Sequence, residues 1–483
     1  MFDLSHFWGW IYMLFLITAI PVALMIILEK RSPFKTAAWL MVLILVPIFG
    51  ILFFVVFGQE YRKTKKFSRK GLKGLNKLRT LASEQLREIG KTHPEPDHEI
   101  LANENIIKLL LNNSNTLLTT GNQVELLKDG EKTFEAIFTE IEAARHHIHL
   151  EYYIFSDDKI GSRLKEILVR KRAQGVEVRI IVDDVGSWDL RKKYFADLRV
   201  KGIEIFPFME VRFPRLTSRV NYRNHRKIVI IDGKIGFIGG INIADRYVEG
   251  MPKLGHWRDT HLQLKGDAAA CLQVIFAADW YFVSHKNIYG YRYFPKFTEA
   301  AGTPIQISAS GPDYNWEAIA QAFFVAISNA RKKIYLVTPY LMPPQALLTA
   351  LQTAALSNVD VRIIIPEKSD ARLSKWCSFS YVEQLLEAGV RIYFYQNGFI
   401  HSKYILVDDS FSSVGTSNFD FRSFETNFEA NAFIYNRAFS KKLQAHFMDD
   451  LQNSREIELP QWQQRSTLFK VRESLAHIVS PMF

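Results

Sequence analysis

The chain has only two cysteines, Cys271 and Cys377, among its 483 residues. Two cysteines are too few for a disulfide framework or a cysteine-rich zinc site, and they leave the redox compartment undetermined. The histidines also lack clustered acidic ligands, so we expect neither a metal nor another cofactor. Because 48% of the residues are apolar and 23% are charged, the composition is that of a folded protein. Its length favours two domains, or a duplicated one, with accessory segments.

Charge is absent from two long stretches near the N-terminus, from Phe7 to Leu28 and from Ala37 to Phe57. Each would span about 30 Å as a helix, the thickness of the hydrocarbon core of a bilayer. We therefore predict a hairpin of two transmembrane helices within residues 1–58. A pair of buried core helices is the alternative. Neither stretch has the basic start and cleavage site of a signal peptide.

Acidic residues are nearly absent from the segment that follows. Between Gln59 and Arg79 there are nine Lys or Arg residues and a single acid, Glu60. The positive-inside rule then places this cluster and the rest of the chain in the cytoplasm, at the inner membrane. We expect the cluster to contact anionic lipids, although a solvated charged helix is the alternative. Residues 59–115 are interpreted as this basic juxtamembrane segment and a linker. Since most of the net charge of +11 lies here, and not on the remainder, nucleic acid is not an expected partner.

An internal repeat occupies the rest of the chain, with residues 116–300 and 301–483 as its halves. Apolar strands alternate with helices in the same order in each half, as in Val176 to Val182 and Val359 to Ile365. This alternation predicts α/β halves whose sheets are covered on both faces and which pack around a pseudo-twofold axis. The first half has an insertion within Pro207 to Asn221, and the chain ends in an apolar tail from Leu468. Either segment would face a membrane or pack as ordinary structure.

Both halves contain the pattern H-x-K-x4-D, followed by an asparagine at the same offset and then by an acid. A single match would arise by chance, but two in register with the repeat indicate one active site made of two parts. Residues at i and i+2 leave the same face of a strand, so each His and Lys should enter one cleft. The candidate site residues are His225, Lys227, Asp232, Asn242 and Asp259 in the first half, and His401, Lys403, Asp408, Asn418 and Glu429 in the second.

Two facing imidazoles suit displacement at phosphorus, in which one attacks and the other protonates the leaving alkoxide. The lysines would neutralise the non-bridging oxygens, the asparagines would donate hydrogen bonds, and Asp259 and Glu429 would orient the histidines. The alternative interpretation of either acid is that it forms an ordinary salt bridge. Asp232 and Asp408 have the opposite parity to the histidines and lie at turns. Their spacing therefore predicts that they hold a neighbouring backbone and do not touch substrate.

At these residues the chain resembles the phospholipase D superfamily, and more narrowly it is similar to bacterial cardiolipin synthases. The similarity extends to Arg31-Ser32-Pro33, to Thr338-Pro339-Tyr340 and to the segment from Gly415 to Ser423. It implies a duplicated phospholipase D-like α/β/α sandwich, with all six residues of the two motifs, Asp232 and Asp408 included, in the catalytic set. It also implies transfer of a phosphatidyl group between two phosphatidylglycerol molecules, giving cardiolipin and glycerol through a phosphohistidine. By this resemblance His225 is the expected nucleophile and His401 the general acid, but the symmetry of the motifs permits the reverse.

Two other functions stay open at this point. The same site would serve a phospholipase D, with water as acceptor, or a transferase that uses another alcohol. A catalytically silent scaffold that binds anionic lipid is a third hypothesis, against which the intact His and Lys pairs argue. A nuclease is disfavoured by the N-terminal hairpin. Association of the chain with itself is left open.

Overall fold

The computed structural model describes residues 4–28, 33–46, 50–51, 54, 75–89, 98–190, 192–211, 221–295 and 302–482. The chain divides into two compact units, one formed by Met1–Ser68 with Val211–Tyr222 and the other by Arg69–Glu210 with Arg223–Phe483. Most of the predicted basic cluster and of the insertion in the first half lies outside the described residues. The repeated halves thus belong to one unit, and the N-terminal stretch belongs to the other.

The first unit includes the helices α1 (Leu4–Leu28) and α2 (Pro33–Leu45). They pack through a small apolar cluster of Ile26, Leu43 and Phe54. Within the residues that the structure describes, no helix combines the length and the hydropathy required to cross a membrane. The prediction of two transmembrane helices is therefore not confirmed.

The second unit contains the remaining helices and every described strand. Its helices are α3 (Leu75–Ile89), α4 (His98–Ala102), α5 (Glu104–Ser114), α6 (Asp129–Ala143), α7 (Lys159–Ala173), α8 (Lys192–Val200), α9 (Arg246–Glu249), α10 (Asp267–Ser284), α11 (Ala318–Ser328), α12 (Gln345–Leu356), α13 (Arg372–Phe379), α14 (Val382–Glu387), α15 (Phe421–Glu425), α16 (Arg437–Gln452), α17 (Leu459–Gln463) and α18 (Thr467–Val479). Its strands are β1 (Leu118–Thr119), β2 (Gln123–Lys128), β3 (His147–Tyr152), β4 (Glu177–Asp183), β5 (Glu204–Phe208), β6 (Ile228–Ile231), β7 (Ile235–Gly239), β8 (Trp257–Arg258), β9 (Thr260–Lys265), β10 (Ile305–Ser310), β11 (Lys333–Val337), β12 (Leu341–Met342), β13 (Asp360–Pro366), β14 (Arg391–Tyr395), β15 (Phe399–Ile400), β16 (Tyr404–Val407), β17 (Phe411–Gly415), β18 (Phe419–Asp420), β19 (Glu429–Ile434) and β20 (Ser454–Ile457).

The two main sheets have the same strand order, which confirms the duplication. The first half has the order β2-β9-β7-β6-β3-β4-β5, and the second has β10-β19-β17-β16-β11-β13-β14 between the additional edge strands β1 and β20. In each sheet three neighbouring strands are parallel and the others are antiparallel. Strands such as β3 and β19 are buried along their whole length, as expected for sheets covered on both faces.

The boundary between the halves differs from the prediction at residue 116. Strand β1 pairs with β10, so Leu118 and Thr119 extend the sheet of the second half. Helix α5 also contributes Ile107 and Leu110 to the apolar core of the second half. Part of the predicted linker is therefore core structure, because its amphipathic face is buried against α11.

Asp232 lies in the turn between β6 and β7, and Asp408 lies in the equivalent turn between β16 and β17. The carboxylate of Asp232 accepts hydrogen bonds from the backbone N–H groups of Arg145, His146 and His147, at 2.7 to 3.0 Å. Asp408 accepts from the corresponding backbone of residues 331–333. Their place in the catalytic set, which the family resemblance implied, stays a prediction. The interpretation from their spacing, that they hold a neighbouring backbone, is the one that the structure supports.

We predict that Asp232→Asn and Asp408→Asn destabilise the fold by about 1–2 kcal/mol each, because a charged acceptor of several backbone N–H groups is lost. Asparagine tolerates the positive φ of 53° and 51° at these positions, so backbone strain does not enter the comparison. Urea unfolding measures the change. The control is Asp449→Asn, whose exposed ion pair with Lys128 should contribute less than about 0.5 kcal/mol. Equal stability of all three variants would contradict the prediction.

Candidate active site

Both histidines open onto one cleft of about 390 Å³, to which each half contributes residues. His225 and His401 lie three residues before β6 and β16, whereas the motif spacing predicted them within the strands. Asn242 and Asn418 line the same cleft. The histidine and the asparagine of each half therefore line a single cleft.

Each histidine is oriented by a carboxylate from the opposite half. His225 Nδ1 lies 2.9 Å from Glu429 Oε1, and His401 Nδ1 lies 2.7 Å from Asp259 Oδ2. Both carboxylates are completely buried. An ionised carboxylate accepts the Nδ1 proton, which leaves the Nε2 lone pair of the imidazole available for chemistry.

Backbone pairing between the halves fixes this crossed arrangement. The N–H of His225 donates to the carbonyl of Phe428, the residue before Glu429, at 2.9 Å. The N–H of His401 likewise donates to the carbonyl of Arg258, the residue before Asp259, at 2.7 Å. Each acid therefore sits one residue beyond the main-chain contact that holds its histidine. The sequence named both acids but did not assign either of them to a histidine.

The two carboxylates are supported differently, although the halves are repeats. Glu429 accepts hydrogen bonds from the Thr416 hydroxyl and from the Asn427 amide. Gly240 stands where the second half has Thr416, and a Cβ there would collide with the Asp259 carboxylate. The small-residue turn is thus required in the first half by the close approach of its own acid.

Both lysines are buried, and each bonds the backbone of the histidine two residues before it. Lys227 Nζ donates to the carbonyl of His225 at 2.6 Å, and Lys403 donates to the carbonyl of His401. Burial lowers the pKa of Lys227 to about 7 and that of Lys403 to about 8. Both ammonium groups also interact electrostatically with the two carboxylates. They therefore place positive charge close to both imidazoles.

Burial also keeps the imidazoles neutral in the free protein. It lowers the pKa of His225 to about 4, and it lowers that of His401 well below the ordinary value, with Lys403 and Lys227 adding to the effect. Burial raises the pKa of Asp259 to about 6. It would raise that of Glu429 too, but His225 and Lys227 hold the pKa of Glu429 below its usual value. At neutral pH each site thus contains a neutral imidazole and a carboxylate anion.

The asparagines differ in their contacts. The Asn242 amide donates to the Tyr247 hydroxyl, while its carbonyl accepts from the N–H of Ile154 at 2.9 Å. The side-chain carbonyl of Asn418 is buried and makes no hydrogen bond with any residue that the structure describes. Asn418 is therefore the less constrained of the two amides at the cleft.

The sequence did not single out the arginines of the cleft. Arg223, Arg246 and Arg422 all line it, together with Tyr340 and Asp370. Arg223 also forms a buried ion pair with Asp183 at 3.1 Å. Arginines suit phosphate recognition because the guanidinium is always charged and presents several donors. A sequence signal existed only for Arg422, which belongs to the segment from Gly415 to Ser423 that carries the family resemblance.

Known proteins match this chain over most of its length. The family model described as "Cardiolipin synthase, PLD-like domain" matches residues 137–280 and 323–451, and one described as "Phospholipase_D-nuclease N-terminal" matches residues 10–59. A cardiolipin synthase of Halalkalibacterium halodurans is 42% identical, with 99% of this chain and 95% of the relative covered. A cardiolipin synthase of Geobacillus sp. (strain WCH70) is also 42% identical, over 95% of this chain and 91% of the relative.

Among solved structures, phosphatidylserine synthase of Haemophilus influenzae aligns with a TM-score of 0.60, at 14% identity, over 80% of this chain and 100% of its own. At that identity the likeness shows the fold alone, a mixed α/β architecture with duplicated halves. The family model and the curated relatives carry the assignment further, because they match most of the chain at substantial identity. The chain belongs to the cardiolipin synthase family of phospholipase D-like proteins.

Proposed function

We propose that this protein is a cardiolipin synthase that transfers a phosphatidyl group from one phosphatidylglycerol to another through a phosphohistidine. The observation that carries the proposal is the pair of neutral imidazoles in one cleft, each held at Nδ1 by a buried carboxylate. Such a pair supplies a nucleophile and a proton carrier to the same phosphorus atom.

In the first step His225 Nε2 attacks the phosphorus of phosphatidylglycerol. The bond between phosphorus and the glycerol oxygen breaks. His401, which takes up a proton when the anionic phosphodiester binds beside it, delivers that proton to the oxygen, so glycerol leaves. The ammonium groups of Lys227 and Lys403 stabilise the charge on the non-bridging oxygens. The Glu429 carboxylate stabilises the positive charge that develops on His225.

In the second step His401 Nε2 removes a proton from a glycerol hydroxyl of a second phosphatidylglycerol. The alkoxide oxygen attacks phosphorus, the bond between phosphorus and His225 breaks, and cardiolipin is released. His401 finishes protonated and His225 neutral, as in the substrate complex before the first step. Each step is the chemical reverse of the other, so the transfer is reversible.

A phospholipase D, or a transferase that uses another alcohol, would share the same first step. The Asp370 carboxylate lines the cleft and accepts a hydrogen bond from Tyr340 at 2.8 Å, so the cleft offers an acceptor that suits a polyol. A carboxylate acceptor in the cleft can bind the hydroxyls of a glycerol headgroup.

The test is purified protein in phosphatidylglycerol vesicles, with lipid products and released glycerol followed together. Cardiolipin and glycerol should appear in equal amounts. Phosphatidic acid as the main product would replace the proposal with hydrolysis. A protein that binds the vesicles and releases no glycerol would instead be a silent scaffold.

The pKa values of the site predict an unusual pH profile for kcat/KM, which reports the free enzyme. Activity should fall below about pH 6, as Asp259 gains a proton and can no longer accept from His401. It should also fall as the pH rises through 7 to 8, because Lys227 and then Lys403 lose their charge. An ordinary lysine would lose its charge only near pH 10.

The matched variant for this profile is Lys227→Arg, because a guanidinium stays charged throughout the range. On the alkaline side of its profile, the residual kcat/KM of this variant should show only the decline near pH 8, which belongs to Lys403. A wild-type profile that stays flat up to pH 10 would contradict the assigned role of the lysines.

We further propose that residues 1–58 anchor the enzyme in the cytoplasmic membrane as a hairpin, with the catalytic unit in the cytoplasm. The two charge-free stretches and the cations after Phe57 support this topology. The experiment places single cysteines at Ser32 and at Ser68 in cells. An impermeant maleimide should label position 32 from outside and leave position 68 unlabelled. Labelling of position 68 from outside would reverse the topology.

A further inference from the structure

The last long helix, α18, presents an unusual apolar surface to solvent. Leu468, Val471, Leu475 and Ile478 are 60%, 47%, 61% and 73% exposed. Their spacing of three, four and three residues puts them on one face of the helix. An aligned stripe of four large exposed apolar side chains differs from the scattered single ones found on ordinary protein surfaces.

The opposite face of α18 is packed against the protein. Ala476 and Glu473 are buried there, and Glu473 forms an ion pair with Arg465 at 2.7 Å. The ring of Phe469 contacts that of Trp376 at 4.6 Å. The helix is therefore fixed on the fold, and its exposed stripe is not explained by loose attachment.

Cations flank the stripe on both sides. On a helical projection Lys470 lies on one side and Arg472 on the other, and both side chains are exposed. Within α18 the only acidic residue is Glu473, which faces inward. An apolar stripe bordered by cations is complementary to the surface of an anionic bilayer, where the stripe enters the acyl boundary and the cations meet phosphates.

The position of α18 relates the stripe to the active site. It packs on α13, where the Cys377 thiol donates to the carbonyl of Ala476 at 3.3 Å and Ser380 bonds His477 at 3.0 Å. The first turn of α13 contains Ser374, which lines the catalytic cleft, and Leu373 beside it is 43% exposed. One helix thus joins the stripe to the wall of the cleft.

We propose that the exposed face of α18 docks onto the surface of an anionic bilayer and so presents the catalytic cleft to lipid in the membrane. This surface belongs to the second unit of the chain, whereas residues 1–58 belong to the first. The inference rests on the proposed function for its catalytic readout, but docking itself is measurable without turnover.

The direct measurement uses the full-length protein in a Cys271→Ser background, since Cys377 is buried. A bimane probe is attached at Leu475→Cys, or at the matched control Leu356→Cys, which is 71% exposed on α12. In phosphatidylglycerol vesicles the emission at position 475 should shift to the blue, whereas that at position 356 should not. The same emission at both positions would overturn the proposal, whatever the protein catalyses.

The functional measurement compares Leu475→Glu/Ile478→Glu with the control Leu356→Glu. Turnover of long-chain phosphatidylglycerol in vesicles should fall on the order of ten-fold in the double variant. Turnover of a short-chain phosphatidylglycerol dispersed as monomers should stay within about two-fold of wild type, because a monomeric substrate reaches the cleft without docking. The control should match wild type on both substrates.

Other outcomes would reject docking. An equal loss on both substrates would mean that the stripe supports the fold or the site. Unchanged turnover in vesicles would mean that docking is not needed there. A dimer in the wild type that the double variant converts to a monomer, measured by light scattering in detergent, would mean that a second copy of the chain covers the stripe.

Discussion

Replacement of His225 by alanine is expected to abolish phosphatidyl transfer, with kcat lowered by at least about 10⁴-fold, because the variant lacks the nucleophile that we propose for the covalent intermediate. His401→Ala should reduce transfer from phosphatidylglycerol by a similar factor, since glycerol then leaves without a proton. A phosphatidyl ester with a nitrophenol leaving group distinguishes the activities of the two variants, because departure of nitrophenol needs no general acid. His401→Ala should release one equivalent of nitrophenol in a burst, whereas His225→Ala should release none.

The burst also yields a direct assignment of the nucleophile. The His401→Ala variant lacks the base of the second step, so a phosphatidyl adduct should accumulate on His225 and be mapped by peptide mass spectrometry. An adduct on His401 in the His225→Ala variant would reverse the two roles, which the symmetry of the motifs permits. His146→Ala is the matched control, because that side chain is exposed and only its backbone N–H bonds Asp232. It should retain wild-type turnover.

Glu429→Gln and Asp259→Asn are each expected to lower kcat by about 10² to 10⁴-fold, although neither residue touches the substrate. An amide at these positions can donate to Nδ1, which favours the tautomer whose Nε2 carries the proton. Each acid holds the histidine of the opposite half, so a change in the acid of one half should impair the step that depends on the histidine of the other half. With the nitrophenyl substrate the burst should be slow in Glu429→Gln and near normal in Asp259→Asn.

Double variants test the same pairing. Glu429→Gln should add little to the loss caused by His225→Ala, because both changes disable one functional unit. Added to His401→Ala it should cause a further loss on the nitrophenyl substrate. Glu456→Gln, which removes an exposed ion pair with Arg391 in the same half, is the control and should leave kcat unchanged. Coupling of Glu429 with His401 in place of His225 would contradict the observed geometry.

Much of the fold was predictable because its signals are local. The alternation of apolar strands and helices identified core strands in both halves, with bounds shifted by one residue at β4 and at β13. The failures are at points where a segment packs far from its neighbours in sequence. The placement of α5 and β1 in the second half depends on contacts with residues about 200 positions away, which no local pattern encodes.

The same distinction applies to the site. Two motifs in register, each with a later acid, were sufficient to name both histidines, both lysines and both acids, and the spacing placed Asp232 and Asp408 at backbone turns. Arg223 and Arg246 were missed because an arginine in a loop has no local feature that marks it as facing a cleft. The predicted transmembrane hairpin was not confirmed within the described residues and stays a proposal.

The sequence by itself determined that there are two equivalent halves, which side chains carry the chemistry and which family the chain resembles, since these are properties of composition and spacing. Only the tertiary structure decided that each acid serves the histidine of the other half and that the apolar side chains of α18 remain in solvent. The reason is physical. A strand or helix pattern states which face is apolar, but the partner of that face is set by the packing of surfaces that lie far apart along the chain.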